Sequence, residues 1–297
     1  MTDVKVGFIG LGVMGRPIAK HLMANDHHVT VASRSRGPID DVLLLGAVDG
    51  GSPAGVVAAS DVTILCVPNS PDVAGIIDGV LDVVAGKVII DCSTIDPDVE
   101  REQHDRVSAA GGDYLEAPLS GGSTGAENGT LTLMVGGDAA VLDHVRAVLE
   151  SFSRMIVHVG GPGLGQAVKL ANNLIYAAQM QATAEAFTLV DRAGADLGKT
   201  LEVLKASSGD CVAVRTRVPF EGVQPDSPAS NGWRPGFATD LMAKDIDLAI
   251  AYAARLGVPV ESAVLARQLL TAAQDAGYGA EDFSAVGKVV RARVARP

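Results

Sequence analysis

The segment Val4-Lys5-Val6-Gly7-Phe8-Ile9-Gly10-Leu11-Gly12-Val13-Met14-Gly15 decides the fold that we predict for this 297-residue chain. Its first half is a near-continuous apolar, β-branched run, which is typical of a strand buried on both faces. Its second half is a glycine-rich turn, and Pro17 then favours the first turn of a helix. A strand, a glycine turn and a helix in this order predict the start of a doubly wound α/β domain.

The spacing of the three glycines predicts a dinucleotide site. Gly10 permits a tight turn, Gly12 lets a pyrophosphate approach the backbone, and Gly15 lets the helix pack on the strand. The N-terminus of that helix attracts the phosphate charge. A glycine turn without a ligand is the alternative, and the strand–turn–helix context argues against it. The predicted cofactor-binding residues of this turn are Gly10, Leu11, Gly12, Val13, Met14 and Gly15.

The end of the second predicted strand indicates which dinucleotide binds. An acidic residue there would hold the ribose 2′-hydroxyl of NAD(H), but the chain has Ser33-Arg34-Ser35-Arg36. Hydroxyl groups and a guanidinium suit a 2′-phosphate, so Ser33, Arg34 and Ser35 predict NADP(H) in preference to NAD(H). A solvated arginine turn is the alternative, and it would leave NAD(H) as the coenzyme. Val67-Pro68-Asn69, after a later strand, is predicted to line the same crevice.

The first half of the chain alternates short apolar runs with helical stretches, which predicts a parallel sheet with helical crossovers. The predicted strands are Val4–Ile9, Val29–Ala32, Val62–Val67, Val88–Asp91, Tyr114–Ala117, Leu131–Val135 and Met155–His158. From about Gly165 onward, Ala-rich helical patterns replace the strand-like runs. We therefore expect a Rossmann-type domain over residues 1–163 and an all-helical domain for substrate binding and oligomerisation over residues 164–297.

Residues 166–193 have apolar side chains at helical spacing and no proline. They predict one helix of about 40 Å, at about 1.5 Å per residue, that joins the two domains. A helix of this length that leaves the first domain with an exposed apolar face needs a partner to cover it. The sequence therefore predicts a homo-oligomer, without distinguishing a dimer from a tetramer.

Composition argues against several classes of function. The chain is 47% hydrophobic and 20% charged, and its net charge of −11 repels phosphodiester backbones, so nucleic acid is not an expected partner. No run reaches the roughly 18 apolar residues of a membrane span, and the first residues lack the pattern of a signal peptide. We therefore predict a cytoplasmic protein with no membrane partner. The three cysteines and six histidines show no metal-ligand spacing, so no metal site is expected.

Two further groups of residues predict acid–base chemistry on a carboxylic acid. Ser120-Gly121-Gly122 follows a predicted strand and can direct backbone N–H groups and one hydroxyl at a carboxylate. Lys169 and Asn173 lie four residues apart on the predicted long helix and therefore share a face. Oxidation of an alcohol by hydride transfer needs a base, and a buried lysine serves when its pKa falls from about 10.4 toward neutrality. An ordinary glycine turn and a solvated helix lysine are the alternatives.

Four segments, in this order and spacing, resemble the β-hydroxyacid dehydrogenase family over nearly the whole chain. They are Asp91-Cys92-Ser93-Thr94-Ile95-Asp96-Pro97, Ala117-Pro118-Leu119-Ser120-Gly121-Gly122, Gly163-Leu164-Gly165 with Lys169 and Asn172-Asn173, and Phe237 with Asp240-Leu241 and Lys244-Asp245. The resemblance implies that Lys169 transfers a proton, that Asn173 orients the substrate oxygen, and that the Ser120 turn holds the substrate carboxylate. It also implies cofactor contacts by Thr94, Phe237, Lys244 and Asp245. A helix-surface position is the alternative for Asp245.

The resemblance implies an oxidoreductase that transfers a hydride between NADP(H) or NAD(H) and a small anionic 3-hydroxy acid or the matching aldehyde acid. Ser207-Ser208-Gly209-Asp210-Cys211 and Asp282-Phe283-Ser284 are most similar to the 3-hydroxyisobutyrate dehydrogenase branch. The chain departs from that branch at Ser33-Arg34, where an acidic residue is usual, and at Val212, where an aromatic residue is common.

Two other functions remain as alternatives. One is an imine reductase, although those enzymes typically lack a lysine at the position of Lys169. The other is a cofactor-binding protein without catalytic activity, because a fold can be kept after its chemistry is lost.

Overall fold

The computed structural model describes residues 4–294 of the chain, which divides into two units, Met1–Lys169 and Leu170–Pro297. A nine-stranded sheet lies at the centre of the first unit. Its strands are β1 (Lys5–Ile9), β2 (His28–Ala32), β3 (Val48–Asp49), β4 (Val62–Leu65), β5 (Val88–Asp91), β6 (Asp113–Glu116), β7 (Leu119–Ser120), β8 (Leu131–Gly136) and β9 (Ser153–Gly160). The helices of this unit are α1 (Gly15–Ala24), α2 (Arg36–Leu43), α3 (Pro53–Ala59), α4 (Ser70–Asp78), α5 (Pro97–Ala109), α6 (Gly122–Glu127) and α7 (Ala139–Glu150), with a 3-10 turn at Leu81–Val83.

The strands run in the order β3-β2-β1-β4-β5-β6-β8-β7, and β9 pairs with β8. Strand β1 pairs in parallel with β2 on one side and with β4 on the other, so the strand order reverses there. Ligands of such sheets bind outside the carboxyl ends of the strands at this reversal. The predicted Rossmann-type fold is confirmed, and its crevice lies at the end of β1.

Two apolar clusters cover the faces of the sheet. Phe8 and Ile64 belong to one cluster, whereas their neighbours Ile9 and Leu65 belong to the other. Successive side chains of a strand point to opposite faces, and helices cover both faces here, so the strands need apolar residues at every position. This burial explains the continuous apolar runs in the sequence.

The sheet is not parallel throughout. Strands β1 to β6 are parallel, and so are β8 and β9, but β8 runs antiparallel to β6 and β7. A parallel connection needs a crossover of about a dozen residues, usually a helix. Between β6 and β8 the chain instead forms the two-residue strand β7 and the six-residue helix α6.

Side-chain caps explain where several helices of the first unit begin. Ser52, Asn69, Asp96 and Asp138 each accept a backbone N–H from the turn that follows, and such a cap contributes about 1 kcal/mol. Within residues 4–294, no side chain caps α1 or α6, the helices that follow the two predicted ligand-binding turns.

The second unit is helical, and the described part of the chain contains no strand after β9. The long helix α8 (Leu164–Arg192) begins one residue after the predicted domain boundary at Gly163, and the two compact units divide after Lys169, inside α8. The assignment of domains to residues 1–163 and 164–297 stays a prediction. The remaining helices are α9 (Leu197–Lys205), α10 (Val212–Thr216), α11 (Thr239–Arg255), α12 (Glu261–Asp275) and α13 (Val286–Ala292), with 3-10 turns at Pro228–Asn231 and Phe283–Ala285.

No helix within residues 4–294 combines the length and the apolar character needed to cross a membrane.

Candidate active site

The predicted cofactor residues of the first unit follow the ends of adjacent strands. Ser33, Arg34 and Ser35 come after β2, the glycine turn after β1, Val67-Pro68-Asn69 after β4, and Thr94 shortly after β5. These strands are neighbours in the order β2-β1-β4-β5 and are parallel, so their carboxyl ends meet at one edge of the sheet. The topology brings these predicted residues together.

The glycine turn has the shape that a dinucleotide requires. Gly10 has a φ of +102°, and a Cβ there would lie 2.2 Å from the carbonyl oxygen of Cys66. A Cβ on Gly15 would lie 1.9 Å from the carbonyl oxygen of Gly10, so both positions need glycine for packing alone. A Cβ on Gly12, in contrast, would have no neighbouring atom of residues 4–294 within 4 Å. The open space over Gly12 fits a bound pyrophosphate.

The arginine segment lies at the surface. The side chain of Arg34 is 78% exposed, and its guanidinium lies 3.3 Å from the carboxylate of Asp72. Arg36 is more firmly held, because it pairs with Asp40 at 2.7 Å and with Asp49 at 2.5 Å. The Ser33 hydroxyl accepts the N–H of Leu11 at 3.4 Å, which links this segment to the glycine turn. Arg34 is therefore the arginine that can turn toward a ligand at the end of β2.

The loops after β4 and β5 are joined by a hydrogen bond. The N–H of Val67 donates to the hydroxyl of Ser93 at 2.9 Å, and Asn69 caps α4. Ser93 in turn is held by its N–H, which donates to Asp91 at 2.8 Å. These contacts fix the loop that carries Thr94, which is half-buried.

The predicted substrate turn and the predicted catalytic lysine lie next to each other. The ammonium group of Lys169 donates to the carbonyl oxygen of Leu119 at 2.5 Å, one residue before Ser120. Lys169 is 8% exposed, so it is not a solvated helix lysine. Gly121 and Gly122 have φ values of +137° and +62°, a backbone that side chains disfavour. The turn therefore offers backbone N–H groups and the Ser120 hydroxyl beside a buried amine.

Asn173 belongs to a polar cluster of the second unit. Its Nδ2 donates to Asp245 Oδ2 at 2.7 Å, and its Oδ1 accepts from Asn172 at 3.0 Å. A carboxylate accepts only, which fixes the orientation of the amide. The ammonium nitrogen of Lys244 lies 2.9 Å from Asp245 Oδ1. The two groups form an ion pair, but their angles are not those of a hydrogen bond. Asp245 is 3% exposed, so the helix-surface alternative for it is wrong.

Phe237 is half-buried in the same unit. Its ring lies 5.8 Å from that of Phe283 at an angle of 62°, and its N–H donates to the carboxylate of Asp282 at 3.2 Å. Asp282 also pairs with Arg217, so Phe237 sits on a buried ion pair. Cofactor contacts by Phe237, Lys244 and Asp245 stay predictions.

The sequence did not predict a buried polar cluster that contacts the first turn of α8. Glu116 accepts the N–H groups of Gly165 at 2.8 Å and Gln166 at 3.2 Å. Glu100 accepts from the Tyr114 hydroxyl at 2.7 Å and from the Gln166 amide at 3.0 Å. The available signal was a carboxylate, Glu116, inside the predicted strand Tyr114–Ala117.

Burial, as the largest cause, and the charge of Asp91 raise the pKa of Glu116 to about 7, against the lowering effect of the backbone N–H groups. Burial likewise raises the pKa of Glu100, with Asp91 and Glu116 adding to the effect. Burial also raises the pKa of Cys66 to about 12, so its thiol is unreactive at neutral pH. Within residues 4–294, no three His, Cys, Asp or Glu side chains are placed to hold a metal ion.

Replacing Glu116 with glutamine should change how stability depends on pH. A carboxyl whose pKa rises on folding binds its proton more tightly in the folded state, so stability present below about pH 4.5 is lost as pH rises through about 7. Glutamine lacks this titration. Between pH 5 and pH 8 the free energy of unfolding of the wild type should fall, relative to Glu116→Gln, on the order of 3 kcal/mol. Urea unfolding of both proteins at the two pH values measures this, and a relative gain by the wild type would contradict it.

Comparison with known proteins shows to which family the chain belongs. A family model described as the NAD binding domain of 6-phosphogluconate dehydrogenase matches residues 5–160. One described as NAD-binding of NADP-dependent 3-hydroxyisobutyrate dehydrogenase matches residues 163–290. A 3-hydroxyisobutyrate dehydrogenase of Pseudomonas aeruginosa is 38% identical over 299 residues, covering 99% of this chain and 100% of that protein. The chain belongs to the β-hydroxyacid dehydrogenase family.

Two further members of the family show its range. An NAD-dependent L-serine dehydrogenase of Pseudomonas aeruginosa is 38% identical, over 96% of this chain and 97% of the relative. A solved structure of 3-hydroxyisobutyrate dehydrogenase from Mycobacterium tuberculosis with L-serine has a TM-score of 0.91 at 35% identity, covering 98% of this chain and 100% of that one. As a β-hydroxyacid dehydrogenase, the chain is an oxidoreductase that uses a nicotinamide coenzyme and acts on the hydroxyl group of a hydroxy acid.

Imine reductases share the fold with this family. The enzyme of a Pseudomonas species has a TM-score of 0.66 at 20% identity, covering 97% of this chain and 99% of its own. This likeness is one of fold, and the imine reductase alternative is the more distant one.

Proposed function

We propose that this β-hydroxyacid dehydrogenase interconverts a small 3-hydroxy acid, such as 3-hydroxyisobutyrate, and the matching semialdehyde, with Lys169 as the proton-transfer residue. The observation that carries the proposal is the buried amine of Lys169 at 2.5 Å from the carbonyl oxygen of Leu119, beside the Ser120 turn. The nicotinamide, when bound, accepts or supplies the hydride.

The residues of the chain then have distinct tasks. Lys169 takes the hydroxyl proton during oxidation and returns it during reduction. Ser120, Gly121 and Gly122 hold the substrate carboxylate through backbone N–H groups and a hydroxyl. Asn173, one helical turn after Lys169 on α8, donates its remaining N–H to the reacting oxygen.

A carboxylate two carbons from the carbinol carbon would distinguish a 3-hydroxy acid from other alcohols. Relatives named for 3-hydroxyisobutyrate and for L-serine support this class, because L-serine is also a 3-hydroxy acid. The test is a steady-state assay with 3-hydroxyisobutyrate, L-serine and 3-hydroxypropionate, with the methyl ester of 3-hydroxyisobutyrate as control. Turnover of an acid and not of its ester supports the proposal, and turnover of none of the acids with either coenzyme favours a non-catalytic binding protein.

We also propose NADP(H) as the preferred coenzyme, with NAD(H) as the alternative. Arg34→Ala should raise the dissociation constant of NADPH about tenfold to a hundredfold, because a hydrogen bond to a charged group contributes about 1.5–3 kcal/mol. The dissociation constant of NADH should change less, since it lacks the 2′-phosphate. Fluorescence titration of both coenzymes measures this. Arg36→Ala is the matched control, because Arg36 is held by Asp40 and Asp49. Equal weakening of both coenzymes by Arg34→Ala would mean that Arg34 does not bind the 2′-phosphate.

We further propose a homo-oligomer that covers an apolar stripe on α8. The stripe consists of exposed residues at helical spacing, Leu164, Val168, Ala171, Ile175, Ala182 and Leu189. Steps of three, four and seven residues place these side chains on one face of α8, opposite Lys169 and Asn173. Light scattering on the purified protein distinguishes a dimer, a tetramer and a monomer, and a monomer at micromolar concentration would contradict the proposal.

A further inference from the structure

A carboxylate lies in a glycine-lined slot against the first turn of α8. Glu116, at the end of β6, is 2% exposed and accepts the N–H groups of Gly165 and Gln166. A Cβ on Gly136 would lie 2.0 Å from Glu116 Oε1, and a Cβ on Gly165 would lie 2.4 Å from the carbonyl oxygen of Met134 and 3.1 Å from the carboxyl carbon of Glu116. The slot therefore excludes side chains at both glycines. These contacts give a physical reason for glycine at position 165.

The same two stretches of chain are joined a second time by the catalytic lysine. Glu116 begins the segment that leads to Leu119 and the Ser120 turn, and Lys169 follows Gln166 by three residues on α8. The carboxylate of Glu116 holds the helix, while the amine of Lys169 donates to Leu119. The two hydrogen bonds close a ring, so a shift of the helix at Glu116 displaces the amine from the substrate turn.

Gln166 joins this first turn of α8 to the loop after β5. Its Oε1 accepts the N–H of Ile95 at 3.2 Å, and its Nε2 donates to the carbonyl oxygen of Ser93 at 2.9 Å. Thr94, predicted near the nicotinamide ribose, lies between these two residues. Gln166 is fully buried, so both bonds are protected from water. The first turn of α8 is thus held against the substrate turn and the predicted cofactor loop together.

The chemistry of the slot calls for a carboxylate. Two N–H groups of the helix point at one side chain, and a carboxylate accepts both, whereas an amide has one acceptor atom and would present an NH₂ group to the second donor. Burial and the charge of Asp91 raise the pKa of this carboxyl to about 7, so keeping its ionised form in the slot costs stability. A group kept at such a cost is often one that function requires.

We propose that Glu116 is a positioning residue, which fixes the first turn of α8 so that the amine of Lys169 is held at the Ser120 turn and beside the Ser93–Ile95 loop. This inference rests on the proposed role of Lys169. Glu116 itself does not touch the reacting atoms.

The test compares Glu116→Gln and Glu116→Asp with Glu150→Gln, which makes the same chemical change at an exposed position of the first unit. Turnover is expressed per coenzyme-binding site, counted by fluorescence titration. Glu116→Gln should lower kcat about tenfold to a hundredfold, since small displacements of catalytic groups cost up to about a hundredfold. Its coenzyme affinity should change much less than kcat, because most of the predicted coenzyme residues follow β1, β2 and β4. Glu116→Asp keeps two acceptor oxygens and should recover part of the loss, and Glu150→Gln should match the wild type.

A second readout separates positioning from simple folding. With substrate deuterated at the carbinol carbon, the isotope effect on kcat should rise in Glu116→Gln, because the chemical step becomes more rate-limiting. A variant that merely folds less well loses binding sites and leaves kcat per site and the isotope effect unchanged, which would overturn the inference.

The failures of the two proposals are distinguishable. Full kcat in Glu116→Gln, together with loss of turnover in Lys169→Ala, overturns the positioning role and leaves the proposed function standing. Full turnover in Lys169→Ala overturns the proposed function, and the positioning role with it.

Discussion

Replacing Lys169 with alanine is expected to lower kcat by about 10² to 10⁴, the usual contribution of a general acid or base. The amine is buried beside the substrate turn, and water that enters the space it leaves is a poorer and less well placed base. The coenzyme crevice is built from other residues, so coenzyme affinity should change little. Steady-state kinetics and coenzyme titration of the same preparation measure both quantities.

Two variants make the lysine prediction sharper. Lys169→Met keeps a long apolar stem without the amine, so it should be as slow as Lys169→Ala even though more of the packing is retained. Lys199→Ala removes an exposed lysine of α9 and should leave kcat unchanged. Wild-type kcat in Lys169→Met would remove Lys169 from the reaction, whatever happens to Lys169→Ala.

Two alanine substitutions in the glycine turn are expected to affect different properties. Gly12→Ala should weaken coenzyme binding, whereas Gly15→Ala should lower stability. Gly12→Ala adds a methyl group that meets no described atom within 4 Å, so the free energy of unfolding should change by no more than about 0.5 kcal/mol. The methyl group occupies space that the pyrophosphate needs, and the dissociation constant of the coenzyme should rise about tenfold to a hundredfold.

Gly15→Ala is the matched comparison. Its Cβ would lie 1.9 Å from the carbonyl oxygen of Gly10, and relieving that overlap should destabilise the protein by about 3 kcal/mol. Thermal unfolding without coenzyme and fluorescence titration with it measure the pair. An equally destabilised Gly12→Ala would show that Gly12 serves packing and not the coenzyme.

Much of the fold follows from sequence because the relevant patterns are local. Strands β1, β4 and β5 are buried on both faces and read as continuous apolar runs. The long helix was predicted over residues 166–193 and spans Leu164–Arg192, because its apolar periodicity has no proline to interrupt it. Such signals depend on neighbouring residues alone.

Two strands escaped prediction because they are too short to form a pattern. Strand β3 has two residues, Val48 and Asp49, both exposed, and is defined by its pairing with β2. Strand β7, Leu119–Ser120, is defined by pairing with β8. Pairing partners lie elsewhere in the chain, so a two-residue strand carries no alternation to detect.

The residues of the candidate site that belong to a sequence motif were predictable. The contacts between residues far apart in the sequence were not. The glycine turn was predicted from its spacing, and Lys169 was predicted from its spacing to Asn173 together with the family resemblance. The hydrogen bond from Gln166 to Ser93 joins residues that are 73 positions apart, and that from Asn173 to Asp245 joins residues 72 apart. No local sequence pattern indicates that a carboxylate or an amide will bind a partner so far away in the sequence.

The anchored amide of Asn173, which we propose donates to the reacting oxygen, has a consequence for selectivity between oxygen and nitrogen substrates. With one lone pair of Oδ1 engaged by Asn172 and one N–H donated to Asp245, the amide has its second N–H left as a hydrogen-bond donor. A carbonyl oxygen has lone pairs that match this donor. A protonated imine has no lone pair on nitrogen and carries an N–H of its own, so two donors would face each other. We expect this N–H to favour aldehydes over iminium ions of the same shape.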